Sequence, residues 1–286
     1  MFRKFLSGLL IAAGLVLFIY CGIIAYPHIK GYIDAAKLYH SISDEAVKPS
    51  DGKAGPLIFE DGTEDASEIY GPDTEADTEA GTESEYVDDS LDIDAGKLLK
   101  RNSDYIGWIY IPETGISYPV VQSADNSDYL HRSFDKNYLF SGTVFMDSRN
   151  KEFGADFRHS ILYGHNMRDG SMFAGIKKYQ DEKFYKQHDH FWFITPDEKR
   201  LYKVIACNLV EPSDKAAFSV EYEDDDDFIT QIKDLVSRSL IKTGYEPSAD
   251  DKIMTLSTCT PDHYTRNVVS GVYIRSIRTK DAAAGR

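Results

Sequence analysis

The stretch FLSGLLIAAGLVLFIYCGIIAY, residues 5–26, carries no charged side chain. As a helix its 22 residues reach roughly 33 Å at about 1.5 Å per residue. The hydrocarbon core of a bilayer is about 30 Å thick. The segment is therefore long and apolar enough to span a membrane, and the rest of the chain must then lie to either side. A cleaved leader would have a shorter apolar core and a small-x-small cleavage site. AAG at 12–14 is a weak site and IYCGIIAYP offers none, so an uncleaved anchor is expected at residues 1–27. Arg3 and Lys4 precede the span and favour a cytoplasmic N-terminus, although His28, Lys30 and Lys37 on the other flank reduce the asymmetry. The expectation is a single-pass protein of the cell membrane with its body outside.

The formal charge of −15 is local. Fifteen Asp or Glu and no Lys or Arg fall between Ala54 and Gly96. Without them the chain holds 32 acidic and 32 basic residues, so the body carries no charge signal for nucleic acid. Residues 28–48 can continue as an amphipathic helix. From about Pro49 the composition changes, and DTEADTEAGTES (73–84) is a near-repeat of four residues with little that can form a core. Residues 28–90 are expected to be a juxtamembrane segment and an acidic, disordered stalk that gives reach without rigidity. An acidic tail that binds cations or a basic partner is the other reading.

The body, residues 91–286, begins with a helical pattern at Ile93, Leu98 and Leu99. Strands follow at 106–111, 116–122, 142–148 and 159–165, and a helix at 171–179 that Ser171 can cap. HFWFIT and RLYKVIACNLVEP flank a turn. DDDDFITQIKDLVSRSLIKTG is the clearest helix, with a stripe of Phe228, Ile232, Leu235, Val236 and Leu240, acids at its start and Gly244 as a C-cap. The run Asp224–Asp227 could also hold calcium, but helix starts favour acids. KIMTLST and NVVSGVYIRSI are the last strands. Short strands at regular spacing with few helices between them predict a mainly β fold, a barrel or sandwich with helical insertions.

Three cysteines are too few for a disulfide scaffold. Cys21 lies in the apolar span, and Cys207, within LYKVIACNLV, reads as a small buried hydrophobe. Cys259 ends KIMTLSTC, where Ile253, Thr255, Ser257 and Cys259 share one strand face. If this strand pairs with the one starting at Arg266, Cys259 and Arg266 lie side by side. A guanidinium there stabilises a thiolate and offers fixed donors to an oxyanion. A cysteine nucleophile also needs a proton carrier. His28 and His40 lie near the membrane or stalk. His131 and His159 flank strands without special context. His188 and His190, in HDH, read as loop residues with no third metal ligand. His165 ends an apolar strand after Gly164, and His263 sits in the loop beside Cys259. Spacing alone does not choose between these two.

The motifs LYGHNMRDGSMF, then TLSTC, then an arginine opening RNVVSG closely resemble those of class B sortases, over most of residues 95–278. That resemblance implies a sortase-type closed β-barrel of about eight strands with helical insertions, and it matches the helix at 226–242 to an extra helix of that class. It implies Cys259 as nucleophile, His165 as general acid/base and Arg266 as oxyanion stabiliser. Ser257, Asn126 and Leu130 match residues of the peptide groove. The implied activity is a membrane-anchored cysteine transpeptidase. It would cleave a C-terminal sorting motif of a secreted protein after Thr and join the product to a peptidoglycan precursor amine, with no cofactor and no metal. A role for His263 stays open. A hydrolase using the same residues, and a non-catalytic tethered binding module on the same barrel, are the alternatives.

Overall fold

A computed structural model describes residues 2–50, 57–58, 89–150, 157–261 and 264–279. Helix α1, Phe2–Ala46, runs without a break through the apolar span and past Pro27. Ile11, Phe18, Ile23 and Ile24 on it are exposed, as a segment built for lipid would be. By length and composition it is the one candidate span among the described residues.

The last third of α1 is of a different kind. Ala35, Tyr39, Ile42 and Ala46 recur at helical spacing, and all four are buried in one core with Trp108, Trp192 and Leu256. Strand β1, Val47–Pro49, follows at once. The short β2, Leu57–Ile58, comes next, and β3, Leu91–Ile93, pairs antiparallel with β1. The Ser50 amide donates to the Ser90 carbonyl at 3.4 Å. Most of the acidic segment, 51–56 and 59–88, lies outside the described residues, so its expected disorder does too. Its ends, however, are brought together, and α1 docks on the barrel ahead of it. Asp89 fixes the return end by accepting from Trp192 Nε1 at 2.7 Å and facing His190 Nε2 at 3.1 Å.

After α2, Ala95–Arg101, come β4 (Tyr105–Ile111), β5 (Ile116–Val121), β6 (Val144–Met146), β7 (His159–Tyr163), β8 (His190–Ile194), β9 (Glu198–Val210), β10 (Ile253–Cys259) and β11 (Arg266–Arg278). They pair in the order β10-β7-β6-β5-β4-β8-β9-β11, and β11 pairs back to β10. That closes an eight-stranded barrel and leaves no open edge between these strands. Most neighbours are antiparallel; β5–β6 and β7–β10 are parallel. Trp108, Trp192, Phe191 and Phe193 are among the largest fully buried side chains, and along β8 Phe191 and Phe193 share one face and Trp192 takes the other.

Helix α3 is Glu182–Gln187 and α4 is Lys215–Phe218. Helix α5, Asp225–Ser237, lies in the β9–β10 connection and buries Phe228, Ile232 and Leu235, as the stripe predicted. Asp224 caps it by accepting from the Asp227 amide at 2.8 Å, while Asp225 pairs with Arg158. These contacts account for the acidic run as a helix start. Three local expectations are corrected. The helix ends at Ser237 with Arg238 as its cap, so Gly244 does not cap it and Leu240 is half exposed. The expected helix at 171–179 is a 3₁₀ helix, Phe173–Gln180, and Ser171 does not cap it because its hydroxyl donates to Asp169. His190 is no exposed loop residue: it opens β8, partly buried between Asp89 and Asp189.

Candidate active site

Cys259 is the last residue of β10 and Arg266 the first of β11, and the two are directly opposed in the antiparallel register. The connecting loop is closed on itself: the Thr260 amide donates to the Thr265 carbonyl at 3.1 Å, and the two threonine hydroxyls meet at 3.0 Å. The Arg266 guanidinium donates to the Thr265 carbonyl at 3.1 Å, which keeps it at the barrel rim. Cys259 itself is half-buried and not in a disulfide. Cys207, by contrast, is fully buried in β9, and burial pushes its thiol up to about 12. Of these two, the rim cysteine is the one in a position to react.

His165 reaches the same place from β7. Strand β7 lies parallel to β10, with Tyr163 opposite Ser257, and the Gly164 amide extends the ladder to the Ser257 carbonyl at 3.1 Å. A side chain at 164 would strike the Phe173 ring, with its Cβ only 2.6 Å from the nearest ring atom. Glycine there lets the loop bend over Phe173 and carry His165 to the rim. Asn166 donates from Nδ2 to the Cys259 carbonyl at 2.8 Å, tying the histidine loop to the cysteine strand. His165 Nε2 lies 2.8 Å from the Leu130 carbonyl. A carbonyl can only accept, so Nε2 carries hydrogen there.

One cleft of about 230 Å³ is lined by Cys259, His165 and Arg266 together with Ser257, Asn126 and Leu130. All six residues singled out in the sequence thus meet in it. Thr143, Phe145 and Tyr163 complete its walls. Ser257 is 1% exposed, and its hydroxyl has no hydrogen-bond partner among the described residues. Such a group gains from a partner brought by a ligand. Asn126 accepts from the Ser148 amide at 2.7 Å. Leu130 contributes both a half-exposed side chain and the carbonyl that holds His165. His263 lies outside the described residues.

Sequence reasoning missed the support beneath the cleft. Asp147 is fully buried at its side chain and takes three bonds from Arg149, two from its guanidinium and one from its amide, and one from the Tyr163 hydroxyl at 2.9 Å. Burial pushes that carboxyl upward, but the bonds from Arg149, Tyr163 and Asn126 outweigh it and hold it at about 2. One cleft-lining residue, Tyr163, thus rests on this anion. MDSRN alone signals only a turn; pairing with Tyr163 needs the sheet. No group of three or more His, Cys, Asp or Glu residues suited to a metal occurs among the described residues.

The Sortase domain family matches residues 109–273, which include every residue that lines the cleft. The chain is 35% identical to sortase B of Listeria monocytogenes over 165 residues, 57% of this chain and 65%, just under two thirds, of that protein. It is 31% identical to sortase B of Staphylococcus aureus over 180 residues, 63% of this chain and 72% of that one. Among solved structures, a Staphylococcus aureus sortase B–substrate complex superposes with a TM-score of 0.59 at 31% identity, covering 63% of this chain and 84% of that chain.

Proposed function

Because the chain belongs to the sortase family, and within it to class B, we propose that it is a membrane-anchored cysteine transpeptidase acting on proteins with a C-terminal sorting motif. The observation that carries this reading is the opposition of Cys259 and Arg266 across the β10–β11 ladder, in one cleft with His165. The Cys259 thiolate attacks the carbonyl carbon of a threonine in the motif. The oxyanion that forms is held by the Arg266 guanidinium. As the C–N bond breaks, His165 gives its proton to the departing amine, and the acyl group remains on sulfur as a thioester. An amine of a peptidoglycan precursor then attacks the thioester. It loses a proton to His165 and displaces the Cys259 thiolate. Side chains alone supply this chemistry.

Ser257 is suited to donate its buried hydroxyl to the bound peptide, and Asn126 and Leu130 to flank it. That a staphylococcal relative is known as a sortase B–substrate complex supports a substrate-binding reading of this chain. The apolar part of α1 supports a single-pass membrane location, N-terminus inside and barrel outside, where secreted clients and lipid-linked wall precursors both occur. A hydrolase would share the first half-reaction and let water finish it. The full chain in detergent, given sorting-motif peptides with and without an amine, separates the two: the transpeptidase transfers the acyl group to the amine, and the hydrolase releases free acid in both cases.

A further inference from the structure

The catalytic imidazole needs more than a place in the cleft. It must give a proton to one amine and take one from another, so its ring plane has to be held through both steps. The residues that hold it are consecutive. Asp128–Leu130 forms a single 3₁₀ turn capped by His131. The Leu130 carbonyl takes the Nε2 hydrogen of His165 at 2.8 Å, and the His131 ring lies against the face of the same imidazole, centroids 5.6 Å apart and planes 18° from parallel.

His131 is itself anchored. Its Nδ1 lies 3.1 Å from the Phe140 carbonyl, which sets hydrogen on Nδ1. The loop between 128 and 143 is braced across its width. The Leu139 amide donates to the His131 carbonyl at 2.9 Å, the Thr143 amide to the Tyr129 carbonyl at 3.1 Å, and Thr143 Oγ1 to the Arg132 carbonyl at 2.8 Å. Gly142, at φ +57°, passes so close behind the turn that a Cβ would lie 2.4 Å from the Leu130 oxygen. Helix α1 backs this loop from outside. Tyr32 meets the Phe140 ring edge-on at 4.8 Å, and the Tyr39 hydroxyl donates to the Gly142 carbonyl.

We propose that His131 is a positioning residue for His165, a flat backing that, with the Leu130 carbonyl, fixes the plane of the catalytic imidazole. The bond to Leu130 commits Nε2, so proton exchange with the reacting amines falls to Nδ1. This rests on the transpeptidase reading of the same cleft.

The test compares wild type, His131→Ala, His131→Phe and His131→Leu as full chains in detergent. Single-turnover acylation of Cys259 by a sorting-motif peptide is followed by intact mass, and peptide affinity is measured with Cys259→Ala added to each. His131→Ala and His131→Leu should slow acylation about tenfold with affinity within about twofold, and His131→Phe, which keeps a ring, should recover most of the rate. If His131→Ala does not fold, the Phe and Leu pair carries the comparison. Wild-type rates in the ring-less variants, equal losses in Phe and Leu, or a loss confined to affinity would overturn the role of His131. Absence of acylation in wild type would instead overturn the reading of the function.

Discussion

Arg266 faces Cys259 because two strands of opposite direction are joined by a short closed loop, so the last residue of one must sit across from the first of the other. The guanidinium's planar fork, held by the Thr265 carbonyl, suits an oxyanion better than a point charge would. Arg266→Lys keeps the charge and loses the fork. It should slow acylation of Cys259 about 100-fold with a smaller effect on peptide affinity, measured by intact mass and by binding. The titrating residues outside the cleft set a second expectation. His190 sits between two carboxylates. Burial pushes its pKa down, but the bonds to Asp189 and Asp89 outweigh that and raise it to about 9. A raised histidine stabilises the fold fully below its unfolded value of about 6.5, and the contribution fades as pH climbs through 9. His190→Gln should therefore cost about 1–3 kcal/mol at pH 6. The gap to wild type should close between pH 6.5 and 9, as read by thermal unfolding across pH. His159 works in the opposite direction. It is fully buried between the Tyr222 and Thr255 hydroxyls, and burial pushes it down to about 4. Its protonation weakens the fold as pH falls from about 6.5 toward 4.

At the scale of elements, what could be read from the sequence was what period and spacing encode. The alternation in IMTLSTC fixed which side chains share a face, and the short loop to Arg266 fixed the register that brings the two reacting groups together. The stripe and acidic start of α5 were equally plain. Asp224→Ala removes its cap and should cost about 1 kcal/mol in denaturant unfolding. The contacts that escaped are those between segments far apart in the chain. Parallel pairing of β7 with β10 joins His159–Tyr163 to Ile253–Ser257, and nothing local in either strand names its partner. His165 needed the family resemblance for the same reason. Its approach to Cys259 depends on that pairing and on Gly164 bending over Phe173. The β1–β3 ladder is only three residues long, too short to leave a periodic signal. His190 read as a loop residue because Asp89, one of the two carboxylates around it, is brought there only by folding.

For the whole molecule, the last third of α1 packs into the same core as the barrel that follows Leu91. One continuous helix joins the apolar span to the barrel. Ile42 is fully buried in the barrel core, while Ile24 is 51% exposed in the apolar part of the same helix. Ile42→Ala should destabilise the barrel by about 2–5 kcal/mol, and Ile24→Ala should leave it unchanged. The fluorescence of the buried Trp108 and Trp192 reports both. This mount brings Tyr32 and Tyr39 of α1 against the loop that carries Leu130, His131 and Thr143. The central claim is that this cleft breaks and remakes an acyl bond at Cys259. The direct measurement is the intact mass of the full chain after exposure to a panel of sorting-motif peptides, then to an amine acceptor. The account predicts an acyl adduct on Cys259, absent in Cys259→Ala, that disappears as an amide of the acceptor forms. No adduct with any peptide, or an adduct that yields only free acid in the presence of the amine, would contradict it.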